Sequence, residues 1–230
     1  MAEAQQVRRT HELPSILLYG AGSPILGDVA ETCRRLGRPV AGVVQNIAEA
    51  PPVERGFAIL RPSELTTEQL RLCMTIPLFS PANRRFAWTE AFALGARRFE
   101  LLIDPTAILP GHLDPEQGLY VNAGAIIGSH VRLGRFAFIN RGAILGHHVE
   151  LDEFVSVGPG ANIGSLARIG SGATIGLGAV VASGRRIGVG ATVGVGAVVF
   201  HDVPAGTTVL GNPAKPMHAE EFSLFKRNAL

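Results

Sequence analysis

The sequence predicts two successive units, a small α/β domain with a parallel sheet and then a triangular β-helix. The main observation is a six-residue unit that repeats thirteen times between Val121 and Val198. The second observation lies before residue 101, where short apolar runs alternate with stretches of helical apolar periodicity. The two patterns meet near residue 101 with little linker between them.

The repeat predicts short strands separated by turns. All thirteen first positions are aliphatic, and twelve of the thirteen fifth positions are Ala or Val, with Arg185 as the exception. Gly, Asn and Asp collect at the second position, where we expect the chain to turn with unusual backbone angles. Three such units would form one coil, and stacked coils would bury a continuous aliphatic column. A flexible Gly-rich linker would not place Ile, Leu or Val at every sixth residue.

The α/β unit is predicted for residues 14–100, where strands and helices alternate. This order favours a small Rossmann-like parallel sheet, but the turn GAGSPI lacks the third glycine of a dinucleotide site. A bound dinucleotide is therefore not expected. In chain order we predict a polar lead (1–13), a strand (Ser15–Tyr19), a helix (Ile25–Leu36) ended by Gly37, a strand (Pro39–Val44), a helix (62–72) capped by Ser63, a strand (Met74–Phe79) and a helix (Arg84–Phe99) interrupted by Gly95.

The β-helix is predicted for residues 101–217. The six-residue register is already present in IDPTAI and LPGHLD, and the unit closes with the segment VPAGTTVLGNPAKPM, which is rich in Pro and Gly. The remaining tail, 218–230, has a polar and apolar pattern compatible with a helix from Ala219 to Leu230.

Composition points to a folded protein of the cytoplasm. Among 230 residues, 47% are apolar and 17% are charged, and the net charge of +2 gives no footprint for nucleic acid or a membrane surface. The cysteines, Cys33 and Cys73, belong to no metal or redox motif, so we expect buried free thiols. The chain shows no signal peptide and no membrane span, and we therefore expect a soluble cytoplasmic protein.

The repeats and the closing segment resemble the left-handed β-helix (hexapeptide-repeat) acyltransferases. A small α/β domain followed by LIDPTAIL and INRGAILGHHVELDEFVSVGPGA is similar to the branch of bacterial nucleotide-amino-sugar N-acetyltransferases and sialic acid O-acetyltransferases, over about residues 15–217. The resemblance implies a left-handed coil and a homotrimer. It also implies acetyl-CoA in a groove between neighbouring β-helices and a sugar or nucleotide-sugar acceptor held partly by the α/β domain. A flat prism face independently favours packing against copies of itself.

The candidate general base is a histidine in an outward turn. Acyl transfer from a thioester needs a base for the acceptor's proton and donors for the oxyanion. His147, in LGHHVE, aligns with the histidine that the family uses as base. The family commonly has a carboxylate beside it, where this chain has His148. We predict His147, His148 and Glu150 as the catalytic residues. Glu150, Asp152 or Glu153 could substitute for that carboxylate, or the base could work without one.

The resemblance also implies acceptor contacts. They would come from the glycine turn, from the residues after the second strand and from the β-helix: Gly20, Gly22, Ser23, Gln45, Asn46, Asn140 and Ser156. Ser156 stands where the family often has another histidine, and Asn140 could equally stabilise a turn. The family's Gly-Gly-His turn is replaced by Gly22-Ser23-Pro24, and its acidic pair by Gln45-Asn46. A nucleotide-sugar other than a UDP-sugar, a free sugar acid and another amine therefore stay open as acceptors.

Candidate contacts to acetyl-CoA lie further along the coil. The backbone N–H of Ser165 would face the thioester carbonyl, and cationic residues would meet the phosphates. The full set is Gly164, Ser165, Leu177, Ser183, Arg185, Arg186 and Lys215. Because an inward charge is costly, we expect Arg185 to mark a local bulge or the open end of its coil. A solvated pair, Arg185 with Arg186, is the alternative.

We expect a CoA-dependent acyltransferase that acetylates an amine or a hydroxyl of a sugar or nucleotide-sugar, without a metal cofactor. A metal-dependent hydratase of the carbonic-anhydrase type would need several histidines, two of them typically five residues apart, and no histidine pair here has that spacing. A third possibility is a trimer that binds a sugar on the same scaffold without catalysis.

Overall fold

The computed structural model describes residues 13–48 and 56–217. The predicted polar lead, apart from its last residue, and the predicted tail 218–230 lie outside the described residues. Within the described part, no helix is long and apolar enough to cross a membrane.

The N-terminal unit is a four-stranded parallel sheet with strand order β3-β2-β1-β4. The central strand, β1, is completely buried, because helices and the β-helix cover its two sides. The elements are β1 (Ile16–Tyr19), α1 (Leu26–Arg35), β2 (Val40–Val44), β3 (Ile59–Leu60), α2 (Thr67–Arg71), β4 (Cys73–Thr75) and α3 (Pro81–Ala93). The predicted parallel α/β unit is confirmed, and both cysteines are buried free thiols.

Several predicted boundaries in this unit are wrong. The predicted helix over 62–72 is a 3-10 turn (Pro62–Glu64) followed by the short α2, and its cap is Thr66 rather than Ser63. The Thr66 hydroxyl accepts from the Gln69 backbone N–H, while the Gln69 side chain accepts from the Thr66 N–H. The edge strand β3 was missed because two residues give no periodicity.

The boundaries near the third helix also differ. The fourth strand ends at Thr75 instead of Phe79. Helix α3 begins three residues before the predicted Arg84, since Ser80 caps it and Pro81 fills its first turn. It ends at Ala93, before Gly95, which has a φ of +110°.

The second unit is a triangular prism of short strands in three sheets, all parallel except the last strand, which is antiparallel. Paired residues are eighteen positions apart, as in Ile144 with Asn162, so three hexads form one coil. The strands are β5 (Leu102–Ile103), β6 (Tyr120–Val121), β7 (Ile126–Ile127), β8 (Arg132–Leu133), β9 (Phe138–Ile139), β10 (Ile144–Leu145), β11 (Glu150–Leu151), β12 (Ser156–Val157), β13 (Asn162–Ile163), β14 (Arg168–Ile169), β15 (Thr174–Ile175), β16 (Val180–Val181), β17 (Arg186–Ile187), β18 (Thr192–Val193), β19 (Val198–Val199), β20 (Thr208–Leu210) and β21 (Lys215–Pro216).

The aliphatic column is confirmed. Every first position of the thirteen hexads is buried, and so is every fifth position except Arg185.

The sixth positions point outward, and their side chains distinguish the three faces of the prism. The apolar face is the outer side of β7, β10, β13, β16 and β19. The charged face is the outer side of β8, β11, β14 and β17, and the covered face, formed by the third sheet, lies under the α/β unit at its first coils.

The corners use glycine for two different reasons. Unusual backbone angles occur at the fourth position of every hexad, where φ lies near +60° in eight glycines and five other residues. At the second position, where we expected them, glycine is needed for space instead. A Cβ on Gly158 would lie 2.7 Å from the backbone of the next coil.

One buried carboxylate joins the two units. Asp104 follows β5 and accepts hydrogen bonds from the hydroxyl of Thr32 (2.8 Å) and the guanidinium of Arg35 (2.7 Å), both on α1. The backbone N–H and hydroxyl of Thr106 donate to its other oxygen. Burial raises the pKa of Asp104, but these hydrogen bonds outweigh burial and leave the pKa below its usual value.

We expect Asp104→Asn to lower the free energy of unfolding at neutral pH by about 2 kcal/mol. The side-chain NH2 of asparagine would replace an oxygen that accepts hydrogen bonds, and it would face donor groups that it cannot satisfy. A carboxylate whose pKa is lowered in the folded state stabilises the fold when the pH is above its unfolded pKa of about 3.9. That contribution is lost as the pH falls through the folded-state pKa. Urea denaturation should therefore show a steeper loss of stability from about pH 5 to pH 3 in the wild type than in the variant. Equal slopes would contradict this role.

Candidate active site

The candidate base lies on the corner between the apolar and charged faces. We call this edge the histidine corner; its third and fourth hexad positions are Ser129, His130, His147, His148, Ser165, Leu166, Ser183 and Gly184. Both His147 and His148 are exposed, and their Nδ1 atoms are 3.0 Å apart. The backbone carbonyl of His147 accepts from the N–H of Leu166 in the next coil. The coil thus fixes the backbone of His147 while its imidazole stays open to solvent.

The nearby carboxylates face elsewhere. On the charged face, Glu150 lies 2.6 Å from the guanidinium of Arg132. Glu153 accepts from Arg135 (2.5 Å), and this hydrogen bond lowers the pKa of Glu153. Among the described residues, the side-chain hydrogen bond of His147 is to His148 and to neither glutamate. The predicted catalytic role of Glu150 has no contact to support it.

The residues predicted to contact acetyl-CoA are divided between two corners and the end of the coil. Ser165 and Ser183 lie one and two coils after His147 on the same corner, and Gly164 precedes Ser165. Leu177 is exposed on a different corner, between the covered and apolar faces. Lys215 is exposed on β21. The structure therefore brings the two serines into line with His147 and places Leu177 apart from them.

The two adjacent arginines do not mark a bulge. Arg186 pairs with Arg168 in regular register, and the carbonyl of Arg185 accepts from the Arg168 N–H. The Arg185 side chain is 38% exposed and its Nη1 lies 3.8 Å from Asp202, so the guanidinium reaches solvent from an inward position. The sheet does end just after it, with an isolated bridge between Ile187 and Val203.

A neutral pocket of about 360 Å³ lies at the carboxyl ends of β1, β2 and β4. The strand order reverses beside β1, and such switch points form ligand crevices in open α/β sheets. No charged side chain is among the described residues that line it. They are Ala21, Gly22, Ser23, Pro24, Asn46, Ile47, Leu78, Phe79, Ser80, Asn83 and Phe86.

A hydrogen-bonded chain holds one wall of this pocket. The carboxylate of Glu90 accepts from the phenol of Tyr19 (2.9 Å) and from Nδ2 of Asn46 (2.9 Å). Burial and Glu90 raise the pKa of Tyr19, so the phenol remains a donor. The Asn46 amide is therefore oriented, whereas the Gln45 side chain turns back to the carbonyl of Ile47.

Three predicted acceptor contacts have structural roles. A Cβ on Gly20 would lie 2.9 Å from the Leu78 side chain, so Gly20 gives space beneath the pocket. Ser156 is completely buried and donates to the carbonyl of Phe79 (2.5 Å). Asn140 is also buried and its Oδ1 accepts from Nδ2 of Asn122 (2.9 Å) and the N–H of Arg141 (2.8 Å). The turn-stabilising alternative for Asn140 matches these contacts.

Arg84, which no sequence pattern predicts as functional, is a buried cation between the units. Its Nη1 donates to the carbonyls of Leu78 (2.6 Å) and Phe79 (2.9 Å), which line the pocket. Its Nε and Nη2 donate to the β-helix, at the carbonyl of Phe136 (2.9 Å), the carbonyls of Phe154 (2.9 Å) and Val155 (3.1 Å), and the hydroxyl of Ser156 (3.0 Å). Burial lowers the pKa of Arg84 to about 9. No sequence signal separates it from an exposed helix arginine.

The pocket and the histidine corner lie on opposite sides of the prism. Phe79, in the pocket wall, packs edge-on against Phe138 of the covered face, with ring centroids 5.9 Å apart. The histidine corner is the edge opposite that face, since it separates the other two sheets. Within one chain, therefore, His147 cannot serve the pocket. Among the described residues, no group of three or more His, Cys, Asp or Glu side chains is placed to hold a metal ion.

Comparison with solved structures identifies the class of protein. The acetyltransferase domain of PglB from Neisseria gonorrhoeae, in complex with acetyl coenzyme A, is 32% identical, with 89% of this chain and 99% of that chain covered and a TM-score of 0.78. A variant of GDP-perosamine N-acetyl transferase from Caulobacter crescentus, in complex with CoA and GDP-perosamine, is 25% identical, with coverage of 90% and 97% and a TM-score of 0.78. WeeI from Acinetobacter baumannii, at 23% identity, coverage of 88% and 99% and a TM-score of 0.76, shows the same fold.

The chain belongs to the hexapeptide-repeat left-handed β-helix acyltransferases. Within that family it groups with the sugar N-acetyltransferases, and it is an acyltransferase by descent and fold. The predicted left-handed coil is confirmed with the family. No protein-family model matches the chain, and a comparison with curated protein sequences gives no match.

We expect Arg84→Met to lower the free energy of unfolding by about 2–4 kcal/mol, because several buried carbonyl groups lose their donor. Arg85→Met is the matched control: this neighbour on α3 is exposed and pairs with Glu153 at 3.2 Å, so its loss should cost about 1 kcal/mol or less. Denaturant titration of both variants measures the difference. Similar losses would show that Arg84 does not hold the units together.

Proposed function

We propose that the protein transfers an acetyl group from acetyl-CoA to an amine of a nucleotide-linked sugar, with His147 as general base. The observation that carries the proposal is the exposed imidazole of His147 on a corner of this β-helix. Its support is the likeness to a domain solved with acetyl coenzyme A and to an enzyme solved with CoA and GDP-perosamine.

The reaction needs one proton to be removed from the acceptor. As the amine nitrogen attacks the thioester carbonyl carbon, Nε2 of His147 takes the proton from that nitrogen. A backbone N–H, for which Ser165 is our candidate, donates to the oxyanion. The tetrahedral intermediate then collapses and the C–S bond breaks. The imidazolium of His147 gives its proton to the CoA thiolate, which leaves as the free thiol, and the neutral base is restored. Amide and thiol products balance amine and thioester.

We assign the two substrates to different units. The neutral pocket of the α/β unit, with its oriented Asn46, would hold the acceptor through hydrogen bonds and apolar contact. The β-helix would hold acetyl-CoA along the histidine corner, where Ser165 and Ser183 follow His147. Arg185, Arg186 and Lys215 remain candidates for the phosphates at the far end of the coil.

We propose a homotrimer, because the site is incomplete in one chain. Outward apolar side chains lie in a row on the apolar face, at Ile108, Ile126, Ile144 and Val180, each more than a third exposed, with Asn162 between the last two. This face borders the histidine corner. A second copy seated on it would bring its own pocket toward His147, and a closed threefold arrangement gives three equal sites. We also propose that the enzyme works in the cytoplasm, because its two cysteines are free thiols and acetyl-CoA is its proposed co-substrate.

His147→Ala should lower kcat/KM for acetyl transfer by about 10²- to 10⁴-fold, because only the base is removed. His112→Ala, an exposed histidine on the loop before β6, is the control and should keep wild-type turnover. CoA release measured against amino-sugar and hydroxy-sugar nucleotides tests both variants. Full activity of His147→Ala would remove it as the base. Acceptor binding without turnover in the wild type would instead favour a sugar-binding trimer.

Ile144→Glu should convert the trimer to monomers and abolish turnover, because it places a charge in the centre of the apolar face. Its side chain is 38% exposed in the single chain, so the monomer itself should keep its stability. Thr67→Glu adds the same charge to the exposed start of α2 and should leave both properties unchanged. Light scattering after size exclusion measures the mass. A monomeric but fully active variant would contradict a site shared between copies.

A further inference from the structure

The partner of the proposed base is a second histidine. Nδ1 of His147 and Nδ1 of His148 are 3.0 Å apart, and the two rings are perpendicular. Two ring nitrogens at this distance must share one proton, since one has to donate and the other to accept. The tautomers of the two residues are therefore coupled. Of the three carboxylates nearby in sequence, Glu150 and Glu153 are engaged by arginines. The side-chain hydrogen bond of His147 is to His148 and not to Asp152.

The backbone of His148 is held in a conformation that favours glycine. Its φ is +58°, and eight of the thirteen equivalent corner positions are glycine. A side chain at such a position costs about 1–2 kcal/mol. The ring of His130, one coil earlier with a φ of +57°, packs on the ring of His148 with centroids 4.8 Å apart. The contact with His147 is a separate one, made through Nδ1 of His148.

We propose that His148 is a positioning residue, which accepts the Nδ1 proton of His147 and so keeps Nε2 of His147 free to act as base. The proposal rests on the proposed function. An isolated imidazole prefers its proton on the nitrogen remote from the backbone, which here would block the base. The hydrogen bond at one ring nitrogen decides which nitrogen carries the proton. Through this contact the neutral imidazole of His148 would accept the Nδ1 proton of the base, which is the role that a carboxylate has beside other histidine bases.

The proton count is the same before and after the transfer. His147 begins neutral, with its proton on Nδ1. When Nε2 takes the acceptor's proton, His147 becomes an imidazolium whose Nδ1 proton remains donated to neutral His148. No proton passes to His148, which therefore orients the base without becoming charged.

Two substitutions of His148 separate positioning from folding. His148→Gly removes the ring and relieves the backbone, so its Tm should equal or exceed that of the wild type. Its kcat should fall about 10- to 100-fold while KM for acetyl-CoA stays within about threefold. His148→Asn should recover most of kcat, because Oδ1 of Asn occupies the place of Nδ1 of His and can accept, and Asn tolerates a positive φ.

His130→Gly is the matched control for the corner itself. It makes the same backbone change one coil earlier, and its side chain makes no hydrogen bond to His147. Its kcat should remain within about twofold of the wild type. Nitrogen-15 NMR of the imidazoles gives a readout independent of turnover. It should place the His147 proton on Nδ1 in the wild type and on Nε2 in His148→Gly.

The outcomes separate this inference from the proposed function. If His147→Ala abolishes turnover and His148→Gly keeps the wild-type kcat, the base stands and the positioning role is overturned. A folded His148→Asn that stays as slow as His148→Gly, or an unchanged His147 tautomer, overturns it as well. Activity in His147→Ala refutes the base itself.

Discussion

Stacking of the coils at a spacing of eighteen residues decides almost every exposed feature of the β-helix. Because first and fifth hexad positions fill the prism, the sixth must point outward and the second to fourth must form corners. A shift of one residue would bury the outward side chains and expose the aliphatic column. The apolar face, the charged face and the histidine corner are therefore consequences of one register. The imidazole of His147 is exposed because the column beneath it leaves no inward place for it.

The corners show where this scaffold accepts backbone strain. Glycine adopts the left-handed fourth position readily, and four of the five other residues there carry rings that pack in pairs. Phe136 and Phe154 stack with centroids 5.0 Å apart and pack with Trp88 between the two units. His130 and His148 pack in a tilted arrangement on the exposed corner instead. The left-handed conformation at the fourth position thus holds packed aromatic rings on one edge. On another edge it holds His148, which we propose orients the base.

The joint between the units decides how the site is assembled. Arg84 and Asp104 each bind groups of both units, so the α/β unit cannot turn freely on the covered face. This attachment fixes the pocket opposite the histidine corner. If the pocket binds the acceptor and His147 is the base, as we propose, the two features can be combined only with another copy, and the apolar face borders the corner where that copy would sit. In the proposed enzyme, assembly and catalysis would depend on the same surface.

Periodicity alone determined the prism, its column and the outward turn of His147, because a repeat that buries the first and fifth residue of every six leaves few other solutions. It also determined the parallel α/β unit, although not the edge strand β3 or the helix starts, which depend on local capping. Only the tertiary structure decided the surroundings of single side chains. In the tertiary structure Ser156 and Asn140 are buried, Glu150 forms an ion pair with Arg132, and Nδ1 of His148 is within hydrogen-bond distance of Nδ1 of His147. The physical reason is that burial patterns are read along the chain, whereas hydrogen-bond partners are brought together across coils and units by packing.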